Sequence, residues 1–162
     1  MHNAWVVDAS PIILYSRISR LDLINSLAPG VIVPEKVIDE IRIGIEKDNT
    51  AGDALSWSVR YQQTDLHVPS SVERWDLGPG ESQVISFCLK NKYLAVIDDR
   101  MARRCISAHG LQVIGSLGII LKAKLHGLID TARPWIYKLR DYGLYVDNDL
   151  VERALKSIGE MK

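Results

Sequence analysis

The sequence has few cysteines and no excess of charge of either sign. Its two cysteines, Cys88 and Cys105, form no Cys-x-x-Cys pair and lie in apolar helical patterns. This usage predicts two buried thiols and excludes a disulfide scaffold. The 20 basic and 20 acidic residues give a formal net charge of zero. Any contact with nucleic acid must therefore come from a local basic patch.

Long apolar runs are also missing, and the N-terminal residues do not show the pattern expected of a leader. No run approaches the roughly 18 apolar residues of a membrane helix, and no basic region precedes the first strand. We therefore expect a cytoplasmic protein that has no membrane partner. Internal repeats, low-complexity tracts and long linkers are absent too, and 162 residues suit one domain. A single domain over residues 1–162 is expected.

Apolar, β-prone runs alternate with helical periodicities along the chain. Strands are predicted at residues 4–7, 31–33, 66–68, 94–97 and 111–114, and one of the intervening helices is predicted over about residues 53–62. Ser10 is the predicted N-cap of the first helix. This alternation is typical of an α/β fold in which helices cover both faces of a parallel sheet. Residues from about 130 to 162 are expected to form a helical appendix to that sheet unit.

Several carboxylates stand at the ends of elements. Asp8, Asp98 and Asp99 end strands, and Glu81 follows a Gly-Pro-Gly turn at a helix start. All strand-to-helix junctions of a parallel sheet lie at one edge, where ligands bind in open α/β sheets. Glu40 lies one and a half turns into the helix that Pro34 opens, about one turn from the same edge.

Asp39 is the competing carboxylate beside Glu40. Helical geometry turns it about 100° away from Glu40, which favours Glu40 for the site.

Each carboxylate also has a purely structural explanation. The aspartates can be helix caps, Glu81 a partner of the helix dipole, and Glu40 a half-exposed helix residue. Four carboxylates within several ångströms could not all stay ionised unaided, however, and a divalent cation removes that conflict. Oxygen ligands select Mg²⁺ or Mn²⁺. The four histidines, His2, His67, His109 and His126, lack the ligand spacing of a zinc site. The predicted chemistry is metal-assisted phosphodiester hydrolysis.

Five segments in order resemble the PIN-domain ribonucleases, and together they look like a toxin-like (VapC-like) branch that carries a domain of unknown function. The segments are 7–13, 33–41, 77–85, 96–103 and 110–118. The resemblance covers nearly the whole chain. It implies a three-layer α/β/α sandwich with a central parallel sheet, RNA cleavage that depends on Mg²⁺ or Mn²⁺, and the role of toxin in a prokaryotic toxin–antitoxin pair.

The resemblance also implies roles for individual residues. The family's four acidic catalytic positions match Asp8, Glu40, Glu81 and Asp99. The expected metal ligands are Asp8, Glu81, Asp98 and Asp99. Ser10 matches the hydroxyl residue that supports the first aspartate. Gln83 stands where this branch has a second acid, and Ile97 where many relatives carry threonine or serine.

Arg100, Arg103 and Arg104 begin the helix that follows Asp98 and Asp99, so they are the expected contacts to RNA phosphates. A solvated charged surface is the alternative for each of them. Expected partners are an RNA substrate, a cognate antitoxin and a second copy of the chain, since helical appendices often bury apolar faces between protomers.

Two further readings compete with the ribonuclease. If Gln83 or Ile97 replaces a group needed for catalysis, the chain is a non-catalytic PIN-like module whose degenerate acidic pocket binds RNA or a protein. Other α/β proteins with acidic pockets fit less well. A phosphoacceptor receiver needs an acidic pair after its first strand, and a haloacid-dehalogenase-type phosphatase needs Asp-x-Asp, whereas this chain has Asp8-Ala9-Ser10.

Overall fold

The sheet at the centre of the fold has five short strands, all parallel, in the order β3-β2-β1-β4-β5. The strands are β1 Trp5–Val7, β2 Val31–Pro34, β3 Gln62–Gln63, β4 Leu94–Val96 and β5 Val113–Ile114. The structure is a computed structural model that describes residues 3–47 and 51–160. His2, the polar residues 48–50 and both limits of the predicted domain lie outside the described residues.

Helices flank the sheet, and the predicted three-layer α/β/α sandwich with a central parallel sheet is confirmed. In the described part of the chain the helices are α1 Ala9–Arg17, α2 Leu21–Leu27, α3 Glu35–Lys47, α4 Gly52–Val59, α5 Ser70–Glu73, α6 Pro79–Asn91, α7 Arg100–Ala108, α8 Ser116–Leu125, α9 Arg133–Asp141 and α10 Asn148–Ser157. Helix α6 contacts β1, β2 and β4, and it also packs against α3. None of the helices described here has the length and apolarity to cross a membrane.

The central strand β1 carries apolar side chains on both of its faces. Trp5, Val6 and Val7 are all buried, as expected for a parallel strand that is covered by helices on both sides. Trp5 pairs with residues of β2 and β4, so β1 is held from both edges. Cys88 and Cys105 are free and buried, which confirms the prediction of two buried thiols.

The C-terminal helices contribute to the main core. Ile136 and Leu139 of α9 and Val151 and Leu155 of α10 belong to the same cluster of buried residues as the strands. Helix α9 packs against α8. The apolar faces of the appendix therefore have partners within the chain.

The strand predicted over residues 66–68 is wrong. The third strand is Gln62–Gln63, where Gln62 pairs with Val33 of β2. These two glutamines are exposed, so no apolar run marked them as a strand. The helix before this strand is correspondingly shorter than predicted, because α4 ends at Val59. Leu66 follows without regular secondary structure.

The strand order reverses between β1 and β4, and the candidate site lies at this reversal. The chain proceeds from β1 through β2 to β3 on one side, whereas β4 and β5 lie on the other side of β1. In open α/β sheets such a switch point leaves a crevice at the carboxyl ends of the strands, where ligands bind. Asp8 follows β1 directly, and Asp98 lies just past the end of β4.

Candidate functional site

An open cavity of about 1710 Å³ lies at this carboxyl edge of the sheet. Its lining includes all five carboxylates singled out in the sequence, namely Asp8, Glu40, Glu81, Asp98 and Asp99. Its lining also includes Ser10, Arg100, Arg103 and Arg104. The structure therefore brings every predicted site residue to one cavity, while their catalytic and ligand roles stay predictions. Asp39 is exposed, and its carboxylate lies 3.7 Å from Arg42.

Helix N-termini converge on the cavity and hold some of these carboxylates. Asp99 is the N-cap of α7, and its Oδ2 accepts a hydrogen bond of 3.0 Å from the backbone N–H of Ala102. Glu40 reaches across from α3, and its Oε1 accepts a hydrogen bond of 3.0 Å from the N–H of Gly80 in the first turn of α6. Unpaired N–H groups and the helix dipole stabilise negative charge at such positions. The same contacts fix the direction of each carboxylate.

Residue 80 must be a glycine because the Glu40 carboxylate lies directly against its backbone. A Cβ atom at residue 80 would stand 2.6 Å from Glu40 Oε1. Any other residue at this position would push the Glu40 side chain away from the start of α6.

Both carboxylate oxygens of Asp98 accept hydrogen bonds from Ser116 at the start of α8. The N–H of Ser116 donates to Oδ1 and its hydroxyl to Oδ2, each over 2.7 Å. Gly115 leaves room for this contact, since a Cβ there would lie 2.9 Å from Asp98 Oδ1 and 2.7 Å from Arg103 Nη1. The buried Tyr15 hydroxyl donates to the carbonyl of Ser116 over 2.6 Å. Asp98 thus ties the end of β4 to α8.

Asp8 differs from the other carboxylates because part of it has no partner. It is the N-cap of α1, but its side chain makes no capping hydrogen bond. The residue is only 6% exposed, and its Oδ1 is buried without a hydrogen-bond partner among the described residues. Burial raises the pKa of Asp8 well above its ordinary value. The charges of Glu81, Glu40 and Asp98 raise this pKa further. A bound cation would relieve both effects.

Glu81 is half-buried in the first turn of α6. Its Oε1 accepts a hydrogen bond of 3.3 Å from the backbone N–H of Gly78. Burial raises the pKa of Glu81 to about 7, and the charge of Asp99 adds to the shift. A hydrogen bond between the Glu81 and Asp99 carboxyl groups also favours the protonated form. The negative charge of Asp99 therefore disfavours ionisation of Glu81.

The raised pKa of Glu81 predicts that the metal-free protein loses stability with rising pH. The folded-state pKa of about 7 exceeds the ordinary value of 4.5, so the folded state binds more protons between these pH values. The contribution of protonated Glu81 to the free energy of unfolding is fully present below pH 4.5 and is lost as the pH rises through 7. At pH 8 without metal, Glu81→Gln should raise the free energy of unfolding by about 1–2 kcal/mol after solvent screening.

Urea unfolding in EDTA at pH 4.5 and pH 8 measures this difference. The variant and the wild type should have similar stability at the lower pH. Glu46→Gln, on an exposed position of α3, is the matched control and should leave the unfolding free energy unchanged at both pH values. A Glu81→Gln variant that is no more stable than the wild type at pH 8 would contradict the electrostatic description.

The donor set suits a hard divalent cation in its chemistry. Within residues 3–47 and 51–160, no three His, Cys, Asp or Glu side chains are grouped closely enough to hold a metal ion. The acidic groups that line the cavity nevertheless offer only oxygen, which is the ligand that Mg²⁺ and Mn²⁺ prefer. The buried Asp8 Oδ1 still lacks a partner in the described chain. The chemistry of these residues therefore fits such a cation.

Ser10 was predicted to cap α1, and this prediction is wrong. The helix begins at Ala9, so Asp8 occupies the N-cap position with extended backbone angles, and Ser10 lies within the first turn. The chain enters the helix directly from β1, which leaves no room for two further residues before it. Ser10 is exposed at the cavity, and no hydrogen bond joins it to Asp8 in the described residues. Its support of Asp8 stays a prediction.

Gln83 has a structural task away from the cavity lining. Its side chain is buried at 6% exposure and clamps the backbone of Leu66. The N–H of Leu66 donates to Gln83 Oε1 over 2.8 Å, and Gln83 Nε2 donates to the Leu66 carbonyl over 2.7 Å. An amide satisfies both bonds, whereas a carboxylate could not donate the second. Ile97, the other departure from the family pattern, is fully buried in the core.

Gln83→Glu should therefore destabilise the fold, even though it restores the acid of the family pattern. One carboxylate oxygen would face the Leu66 carbonyl, which leaves a buried acceptor unpaired at a cost of about 1–3 kcal/mol. Chemical unfolding at pH 8 measures the difference. Gln63→Glu, on the exposed strand β3, is the control and should have less than about 0.5 kcal/mol of effect. Equal stability of the two variants would show that the clamp contributes nothing.

Sequence reasoning missed one part of the cavity wall. The segment 142–146, between α9 and α10, lines the cavity together with Leu150. This segment follows α9, and α9 packs on α8. No local pattern in the sequence signals that contact, because it depends on how the C-terminal helices return to the sheet.

Comparison with known proteins finds a matching family model and similar solved structures. A family model described as a PIN domain matches residues 4–160. The crystal structure of PAE2754 from Pyrobaculum aerophilum is similar with a TM-score of 0.51 and 17% sequence identity, over 72% of this chain and 92% of that chain. A domain of a functionally unknown protein from Methanocaldococcus jannaschii has a TM-score of 0.42 and 16% identity, over 69% and 90% of the two chains. No curated protein matches the chain.

Proposed function

The chain belongs to the PIN-domain family, and on this premise we propose that it is a ribonuclease that cleaves RNA internally with Mg²⁺ or Mn²⁺. PIN domains are generally nucleases and typically use divalent metals. The observation that carries the proposal is the buried Asp8 Oδ1, which has no partner in the described residues although it lies in a cavity lined by four other carboxylates. A cation beside this oxygen would allow the buried carboxyl group to stay ionised.

Asp8, Glu81 and Asp99 would hold the cation. Asp8 supplies its unpartnered Oδ1, and Asp99 supplies Oδ1, since its Oδ2 accepts from Ala102. Glu81 lies within hydrogen-bond reach of Asp99 and lines the cavity. When bound, the cation activates a water molecule and stabilises the charge of the in-line transition state. Asp98 stays a weaker ligand candidate, because Ser116 already occupies both of its oxygens.

Glu40 is the proposed acceptor for the proton of the attacking water. Its Oε1 accepts a hydrogen bond from the N–H of Gly80, and the residue lines the cavity. A general base must lie within hydrogen-bond reach of the water it deprotonates, and a carboxylate held in the cavity lining would meet that need.

Arg100 and Arg104 are the proposed contacts to RNA phosphates. Both are exposed on the first turns of α7, and both line the cavity. Arg103 lines it as well, but its Nη1 donates to the carbonyl of Ile97 over 3.2 Å. Arg103 would therefore combine a phosphate contact with support for the end of β4.

A cleavage assay with metal titration tests the proposal. A labelled single-stranded RNA should be cleaved in Mn²⁺ or Mg²⁺, and EDTA should stop the reaction. Isothermal titration with Mn²⁺ should show binding to the wild type at millimolar metal and loss of that binding in Asp8→Asn. Cleavage that persists in EDTA, or an absence of both cleavage and Mn²⁺ binding, would contradict a metal-dependent ribonuclease.

One observation favours a second candidate, a non-catalytic module that binds RNA or a protein. In the described residues no three potential ligands form a closed group, and Glu40, Asp98 and Asp99 already accept hydrogen bonds from helix N-termini. In that case the acidic pocket no longer has the arrangement needed to hold a metal ion. The same titration separates the two candidates, because the module should bind RNA without cleaving it and should bind no Mn²⁺ at millimolar concentration.

We also propose that the ribonuclease is a cytoplasmic toxin with a cognate antitoxin, and that it forms a homodimer. The support is the resemblance of the five segments to a toxin-like branch. Induced expression in bacteria should arrest growth, whereas Asp8→Asn should not. A small neighbouring reading frame that encodes a DNA-binding antitoxin should relieve the arrest, and sedimentation should give the mass of two chains. Normal growth despite soluble wild-type expression would contradict the toxin role.

A further inference from the structure

Tyr145 is the most exposed large hydrophobic side chain of the described residues, at 96% exposure. The chain buries other aromatic rings well, with Trp5, Tyr15 and Trp57 all below 5% exposure. A ring that stands fully in solvent loses the free energy it would gain by burial. The exposed ring of Tyr145 is therefore a candidate contact for a binding partner.

The backbone around Tyr145 is held in place. Arg17 Nη1 donates to the carbonyl of Tyr142 over 2.9 Å, and the N–H of Leu144 donates to the carbonyl of Leu139 over 2.9 Å. Leu144 and Val146, on either side of Tyr145, are partly buried and pack against the core. Because Leu144 and Val146 point toward the core, the ring of Tyr145 between them points outward.

Tyr145 borders the cavity that contains the carboxylates. Tyr142 and Tyr145 line this cavity, and so does Arg17. The arginines of α7, Arg100 and Arg104, stand along the same cavity. An exposed aromatic face combined with several cations is the arrangement that binds single-stranded nucleic acid, in which bases stack on rings and phosphates meet positive charge.

We propose that Tyr145 stacks on an unpaired base of a single-stranded RNA that enters the acidic cavity. The identity of the polymer rests on the proposed function, whereas the stacking contact rests on the position of the ring. In an RNA duplex each base is already stacked and paired, so it presents no free face to the ring. The substrate of the site is therefore single-stranded where it crosses segment 142–146.

Fluorescence anisotropy with two ligands tests the stacking contact. Both are single strands of about 12 nucleotides, one a mixed-sequence RNA and the other an abasic strand with the same phosphate backbone. Every protein carries Asp8→Asn and EDTA is present, so that no cleavage occurs. Tyr145→Ala should weaken binding of the base-bearing RNA about 5- to 150-fold and leave the abasic strand unaffected. Tyr145→Phe should bind like the parent.

Tyr137→Ala is the matched control. Tyr137 is 41% exposed on α9 and is not part of the cavity lining, so its loss should leave both affinities unchanged. Thermal unfolding should show that Tyr145→Ala folds like the parent, since the side chain touches little of the core.

Three results would overturn the inference. The first is equal RNA affinity of Tyr145→Ala and the parent, and the second is an equal loss for the base-bearing and the abasic strand. The third is unchanged RNA affinity with a loss of self-association in sedimentation, which would make the ring a contact between copies of the chain. If the wild type fails to cleave RNA in metal but base-dependent binding through Tyr145 remains, the proposed function fails and this inference is supported.

Discussion

Replacing Asp8 by asparagine is expected to lower the rate of RNA cleavage by more than about 100-fold. The substitution removes the charge from the buried carboxylate that lies at the carboxyl end of β1. The neutral amide retains the shape of the side chain but provides a poor ligand for a hard cation. Single-turnover cleavage of a labelled RNA in saturating Mn²⁺ measures the effect.

The fold of Asp8→Asn should survive intact. Burial raises the pKa of Asp8, so the ionised form destabilises the metal-free protein. The free energy of unfolding in EDTA at pH 8 should therefore be equal to or higher than that of the wild type. Asp39→Asn, on the exposed side of α3, is the matched control and should cleave RNA like the wild type. Full activity of Asp8→Asn would remove Asp8 from the metal site.

Replacing Asp98 by alanine is expected to lower the free energy of unfolding by about 2–4 kcal/mol. The change deletes two hydrogen bonds to a charged acceptor, from the N–H and the hydroxyl of Ser116. Removal of a negative charge near Asp8 offsets part of this loss. Chemical unfolding in EDTA gives the difference.

Asp98→Asn separates the structural role of this residue from a metal-binding role. The amide oxygen can accept from the N–H of Ser116, and the amide nitrogen can donate to the Ser116 hydroxyl, so stability should fall by less than about 1 kcal/mol. If Asp98 only holds α8, cleavage by this variant should stay within about tenfold of the wild type. A loss as large as that of Asp8→Asn would make Asp98 a ligand and overturn its assignment as a positioning residue.

The fold was predictable where burial imposes a pattern on the sequence. Parallel strands covered on both faces must be apolar throughout, and Trp5, Val6 and Val7 carry that signal directly. The third strand escaped prediction because Gln62 and Gln63 lie exposed at the sheet edge, where backbone pairing with β2 alone makes a strand. The nearby residues 66–68 have the apolar pattern of a strand in the sequence. In the structure, the backbone of Leu66 instead forms hydrogen bonds with the side chain of Gln83.

The position of the carboxylates was predictable for a topological reason, since strand-to-helix junctions of a parallel sheet share one edge. What each carboxylate does there depends on contacts between distant residues. Asp98 and Asp99 are neighbours in the sequence, yet Asp98 binds the start of α8 and Asp99 caps α7. The place of Tyr145 on the cavity depends on the packing of the C-terminal helices, which no short motif encodes.

Anomalous diffraction from crystals grown in millimolar Mn²⁺ tests the claim that Asp8 is the main ligand of a divalent cation. We expect an anomalous peak about 2.0–2.2 Å from Asp8 Oδ1, with Glu81 and Asp99 among its ligands. The same crystals of Asp8→Asn should lack the peak. No peak at the carboxyl edge of the sheet in the wild type, or a peak that persists in Asp8→Asn, would contradict the claim.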